Sequence, residues 1–71
     1  MTYTAINTFH GTEAPVTVIE TYESDYGLIA IIEATELDRV AQKLCGIADC
    51  QCNSIGKIQD ESSKNYAYTT P

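Results

Sequence analysis

Apolar positions along this 71-residue chain recur at two spacings: every second residue in several short runs, and three to four residues apart in one longer run. The first spacing is that of a strand with one face buried, the second that of a helix with an apolar stripe. Residues 2–9 (TYTAINTF) alternate loosely and are rich in threonine and aromatics, which predicts a strand. HGTEAP then reads as a break, with Gly11 and Pro15 as its punctuation. The clearest alternation lies in residues 16–23 (VTVIETYE). It puts Val16, Val18 and Tyr22 on one face and Thr17, Thr21 and Glu23 on the other, with Ile19 among them. SDYG (24–27) has hairpin length, and Gly27 supplies the positive φ such a turn demands. LIAIIE (28–33) is apolar on both faces and reads as a central strand.

The helical spacing falls in TELDRVAQKLCG. Leu37, Val40, Ala41 and Leu44 stand at i, i+3, i+4 and i+7, one stripe for a sheet to cover. Thr35 reads as the N-cap with Asp38 three residues on, Glu36 and Asp38 suit the positive end of the dipole, and Gly46 suits a helix stop. The helix is therefore expected over about residues 36–45. NSIGKIQ (53–59) and YAYTT (66–70) read as the last strands, joined by the polar loop DESSKN. Gly56 marks a bulge or a close backbone approach, and Tyr66 and Tyr68 share a face. The expected fold is α+β, one domain over residues 1–71: a small antiparallel sheet, β-β-β-α-β-β in chain order, with one helix on one face.

Composition changes this picture mainly through charge. The ten acids and four bases give a formal net charge of -6. Residues 1–38 hold Glu13, Glu20, Glu23, Asp25, Glu33, Glu36 and Asp38 and no lysine or arginine, while all four bases follow. Direct binding to nucleic-acid phosphates needs a basic footprint, so none is expected. A protein partner with a basic surface is electrostatically favoured, although acidity also serves solubility alone. No apolar run approaches the roughly 18 residues of a membrane span. The first residues carry no basic and then apolar leader pattern, so neither membrane association nor a signal peptide is expected, and the expected setting is a reducing cytoplasm.

Candidate chemistry gathers in CGIADCQC, which holds all three cysteines, Cys45, Cys50 and Cys52. Structural zinc sites pair cysteines and need four ligands. Here the spacing is C-x4-C-x-C, and His10, the single histidine, or Asp49 would have to complete the set. Plant-type iron–sulfur spacing, C-x4-C-x2-C with a fourth cysteine, is not met. A Cys45–Cys50 or Cys45–Cys52 disulfide leaves an odd thiol. The favoured reading is three small apolar residues beside the helix end, with no metal and no cofactor. His10 reads as a turn residue. Glu20 and Glu33 resemble a carboxylate pair across the first hairpin, but so short a chain rarely builds the deep cleft such chemistry needs. None of the common nucleophile, phosphate-loop or zinc-protease motifs occurs, and no enzyme is expected.

The five tyrosines carry more promise, because tyrosine is enriched where proteins meet. Tyrosines and acids interleave in ETYESDY (20–26), so Glu20, Tyr22, Glu23, Asp25, Tyr26 and Glu33 are the expected partner-facing residues. In size and acidity the chain looks like the small inhibitors encoded by phages and mobile elements, anti-CRISPR proteins among them. That likeness is one of profile and transfers no residues; it implies an acidic protein that occupies a nucleic-acid-binding surface of its partner. Two other readings stand beside it. One is a small metal or thiol carrier using Cys45, Cys50, Cys52 and His10. The other is a homodimer or larger homo-oligomer joined through strand edges.

Overall fold

The computed structural model describes residues 2–45 and 54–71. Six strands and one helix follow one another as β1 (Tyr3–Ile6), β2 (Glu13–Val16), β3 (Glu20–Ser24), β4 (Gly27–Ile31), α1 (Ala34–Cys45), β5 (Lys57–Gln59) and β6 (Asn65–Thr69). The α+β class with one helix on one sheet is as the pattern predicts. The sheet has one strand more than expected, and one of its pairings, β4 with β6, is parallel. Its order is β2-β1-β5-β6-β4-β3. The last hairpin, β5–β6, is thus inserted between the two earlier ones and joins them.

The extra strand arises where residues 16–23 were expected to run straight. Val16 ends β2 at one edge of the sheet, and Glu20 begins β3 at the other. In a flat six-stranded sheet the edges stand about 24 Å apart, at roughly 4.8 Å per step. Four residues of chain span at most about 14 Å. The sheet must therefore curl strongly about its own axis, as barrels do. The N–H of Thr17, within this crossing, donates to Glu36 Oε1 on the first turn of α1 at 3.2 Å.

Pro15, expected to break the chain, lies inside β2. An outer strand tolerates it because a missing N–H is needed on only one side. β1 is shorter than residues 2–9 because Asn7 ends it. The buried Asn7 Oδ1 accepts the N–H groups of Phe9 and His10 at 2.9 and 2.7 Å, winding the chain into a turn that Gly11 completes at φ +73°. The close approach expected at Gly56 is real: its N–H donates to Ile6 O at 2.9 Å, and a Cβ there would stand 2.5 Å from Thr8 Oγ1.

The helix starts earlier than its cap signal suggests. Thr35 lies within the first turn, and Glu33 takes the N-cap place, its carbonyl accepting the Leu37 N–H at 2.9 Å. Asp38 therefore closes no capping box. The Glu36 carboxylate instead faces Thr17 and Arg39. Of the expected stripe, Val40 and Leu44 are buried and Leu37 and Ala41 half-buried, packed against β2 and β1. Thr12 Oγ1 donates to Leu44 O at 2.7 Å, tying the β1–β2 loop to the end of the helix. The expected stop at Gly46 lies outside the described residues.

Strand register sorts the side chains cleanly. Ala5, Ala14, Val16, Ile58, Tyr66 and Ala30 share the helix-facing side, and all are buried. Ile32, Val40, Leu44 and Ile55 complete this core. Thr4, Ile6, Pro15, Gln59, Ile29, Ile31 and Tyr22 take the outer side, where none is buried.

Candidate interaction surface

The β3–β4 hairpin carries the expected partner-facing residues, and its turn is built by its own sequence. Tyr26 N–H donates to Ser24 Oγ at 3.1 Å, and Ser24 Oγ donates to Gly27 O at 3.0 Å. Gly27 sits at φ +113°, a conformation that disfavours any side chain. Asp25 and Tyr26 are held at the tip, with Tyr26 97% exposed. Along β3, Glu20 stands opposite Ile31, Tyr22 opposite Ile29 and Glu23 opposite Leu28. Glu20 and Tyr22 consequently face the outer side of the sheet, and Glu23 the other.

These residues do not form one flat patch. They surround an edge: Glu20 and Tyr22 above it, Glu23 below, Asp25 and Tyr26 at one end. Glu33 stands apart at the opposite end, at the start of α1, lining a depression of about 240 Å³ with Thr17, Ile19 and Glu36. Glu20 and Glu33 are not cross-strand partners, because the register gives Glu20 to Ile31. Beside Tyr22 the outer face continues through Ile29 to Ala67 of β6. Part of this strip comes from LIAIIE, whose apolar residues on both faces fit a central strand. Ile29 and Ile31 are in fact half-buried, and alternation offers no signal for that, since a doubly apolar strand looks the same with either face open.

The hairpin acids are among the charges that no base neutralises within the described residues. Among the described residues the one ion pair joins Arg39 to Glu36, with Nη2 to Oε1 at 2.6 Å. The Arg39 guanidinium, aided by the Thr17 N–H, holds the Glu36 carboxyl below its usual range. No base pairs with Glu20, Glu23, Asp25 or Glu33 within the described residues. A second cleft, about 400 Å³, lies between α1 and β2, with Arg39 and Glu36 at its side and Tyr3, Val16 and Val18 among its walls.

The cysteine cluster departs from expectation. Cys45 is disulfide-bonded rather than a free thiol. Of the chain's three cysteines, Cys50 and Cys52 are its intrachain candidates, and both lie outside the described residues. A disulfide takes two sulfurs out of the thiolate form, so with an intrachain bond the carrier reading loses two of its four groups. His10 is exposed on the β1–β2 loop, its ring edge-on to Phe9 at 5.0 Å. Closing a loop of about six to eight residues stabilises a fold by about 2 kcal/mol in the chain-entropy account. Reduction is therefore expected to lower unfolding free energy by that amount. Denaturant titration with and without dithiothreitol measures it. A thiol assay on the unfolded protein should find one free thiol before reduction and three after; three before would show the bond absent.

No helix among the described residues is long and apolar enough to cross a membrane. No family model matches the sequence, and no curated protein or solved structure matches the chain.

Proposed function

We propose that the chain is a non-enzymatic acidic binding protein that inhibits a partner by occupying its basic, nucleic-acid-binding surface. One observation carries this reading: the β3–β4 hairpin presents acids without bases at the rim of the sheet, beside the exposed Tyr22 and Tyr26. A field of one sign speeds encounter with a basic partner, and desolvated tyrosines supply much of the contact energy once it docks. Competition with nucleic acid follows, since both ligands seek the same cationic groove. The polar, solvent-facing placement of the hairpin suits association in water rather than in a bilayer.

The proposed setting is the cytoplasm. Thiols are kept reduced there, whereas a Cys45 disulfide is at home in an oxidising compartment. The helix that ends at Cys45 packs on β2 and β1, and the β3–β4 turn is held by Ser24 and Gly27 of its own sequence. Binding is therefore expected to survive reduction, and assays belong under both conditions.

The test is charge reversal against a partner identified by affinity capture and mass spectrometry. Glu20→Lys/Glu23→Lys/Asp25→Lys is expected to weaken binding at least about tenfold, mostly through slower association, with an unchanged circular dichroism spectrum. Glu13→Lys/Asp38→Lys, away from the hairpin, is compared with the double variant Glu20→Lys/Glu23→Lys of equal net charge and should alter affinity much less. Wild-type affinity in the triple variant, or an interface mapped to residues 54–70, would sink the reading.

A further inference from the structure

We propose that β3 is a strand-docking edge that accepts an extended lysine- or arginine-bearing segment of the partner as an additional strand of the sheet. The proposal rests on the reading of a basic partner given above and says how that partner is held. β3 is an outermost strand, paired only with β4 among the described residues. The outward-facing half of its backbone N–H and C=O groups therefore has no ladder partner within those residues. Such an edge is a template for another strand unless the protein blunts it.

The two edges of this sheet are blunted differently, and the difference selects the occupant. β2 carries Pro15, which breaks the row of donors along that side. β3 carries no proline and no lysine; its sequence is ETYES, with Thr21 and Tyr22 suited to a strand and Glu20 and Glu23 as its charges. Two copies pairing β3 against β3 would bring four glutamates together, together with Asp25 at each turn. Like charges on adjacent strands repel, so self-pairing is disfavoured. The same charges favour an incoming cationic strand. Because Glu20 and Glu23 point to opposite sides of the sheet, a segment with cations on either of its faces finds a carboxylate. Tyr22, 44% exposed, offers an aromatic face for an aliphatic or guanidinium stem. In strand addition the backbone bonds give affinity and alternate side chains give selectivity.

The probes are three hexapeptides: one alternating lysine and valine, the same peptide N-methylated along its central backbone, and one alternating threonine and valine. Binding is followed by amide NMR and hydrogen exchange on the full chain. The lysine–valine peptide is expected to bind, to shift the amides of residues 20–24 and to slow exchange there. The N-methylated peptide, equal in charge but without donors, should bind at least about tenfold more weakly, as should the threonine–valine peptide. Equal binding of the N-methylated peptide would overturn strand docking while leaving the basic-partner reading intact. Equal binding of the uncharged peptide would overturn the selection for a basic segment, and with it the charge argument of the proposed function. Protection centred on β2, or no binding up to about 1 mM, overturns the inference outright. Light scattering that finds a dimer through β3 in the absence of peptide also overturns it.

Discussion

Ile58→Ala is expected to cost about 2–5 kcal/mol and to fall near the top of that range. Ile58 is fully buried in β5, with Ala5 of β1 opposite it on one side and Tyr66 of β6 on the other. It stands where the inserted hairpin joins β1. The loss is large because the site cannot collapse. Ala5, Ala14 and Ala30 line the same side of the sheet and have no side-chain length with which to fill a void. Tyr66 is held by a hydrogen bond from its hydroxyl to Asp60 and by an edge-on contact with Tyr3 at 5.7 Å. A chain of this size has about 4–10 kcal/mol of stability in total, so this single change removes much of it. Ile29→Ala, half-buried on the outer face, should cost clearly less. Urea titration measures both, and an Ile58→Ala loss under about 1 kcal/mol would show that the centre of the sheet is not tightly packed.

The features that local chemistry decides were readable in the chain. Ser24 and Gly27 made the hairpin turn legible, because a positive φ at that spacing needs glycine. Val40 and Leu44 declared the helix face, and Gly56 a bulge or a close approach, of which the structure shows the second, against Thr8. The acids and tyrosines of β3 were found exposed, as solvation of a charged edge requires. What alternation cannot report is which strand lies beside which. It gives the face of a residue and says nothing of its neighbour, so the placing of β5–β6 between two earlier hairpins left no local trace. The break at residues 17–19 was hidden for the same reason: Val16 and Val18 keep the alternation while the chain crosses from one edge of the sheet to the other. Glu33 looks like a companion of Glu20 in the sequence because the apolar run 28–33 reads as one strand that ends with it, whereas β4 stops at Ile31. The place of Glu33 at the helix cap depends on where α1 begins, which Thr35 signalled wrongly. Asp60 was read as one more residue of a polar loop, and its burial follows from bonds that form only once the hairpin is folded.

Those bonds give the second large effect. Asp60→Ala is expected to destabilise the chain about as much as Ile58→Ala, because it strips the acceptor from three donors at once. Asp60 Oδ1 accepts the N–H groups of Ser62 and Lys64 at 2.8 and 3.0 Å, and Oδ2 accepts the Tyr66 hydroxyl at 2.8 Å. These bonds shape the β5–β6 turn, in which Ser63 adopts φ +65°, and that hairpin joins the two halves of the sheet. Asp60→Asn keeps an acceptor and should be milder. Tyr66→Phe, which removes one donor and leaves the carboxylate its two backbone bonds, should be milder than Asp60→Ala. The charge makes the effect pH-dependent in both directions. Burial pushes the Asp60 carboxyl up, but the Lys64 N–H, the Tyr66 hydroxyl and the Ser62 N–H together outweigh it and hold the group below its ordinary 3.8. A depressed carboxyl contributes stability that is present above 3.8 and lost as pH falls through the folded value. The advantage of the wild type over Asp60→Asn should therefore be full at neutral pH and shrink in acid below about pH 3.8. Tyr66 behaves in the opposite sense. Its hydrogen bond to Asp60, then burial, pushes its hydroxyl from 10.0 up to about 12. A raised phenol contributes stability that is present below pH 10 and lost as pH rises toward 12. Tyr66→Phe should abolish that alkaline loss while keeping most of the acid one. Urea midpoints of the wild type and these variants across the pH range decide the matter. A gap between wild type and Asp60→Asn that stays the same from neutral pH into acid would show that this carboxylate does not organise the hairpin.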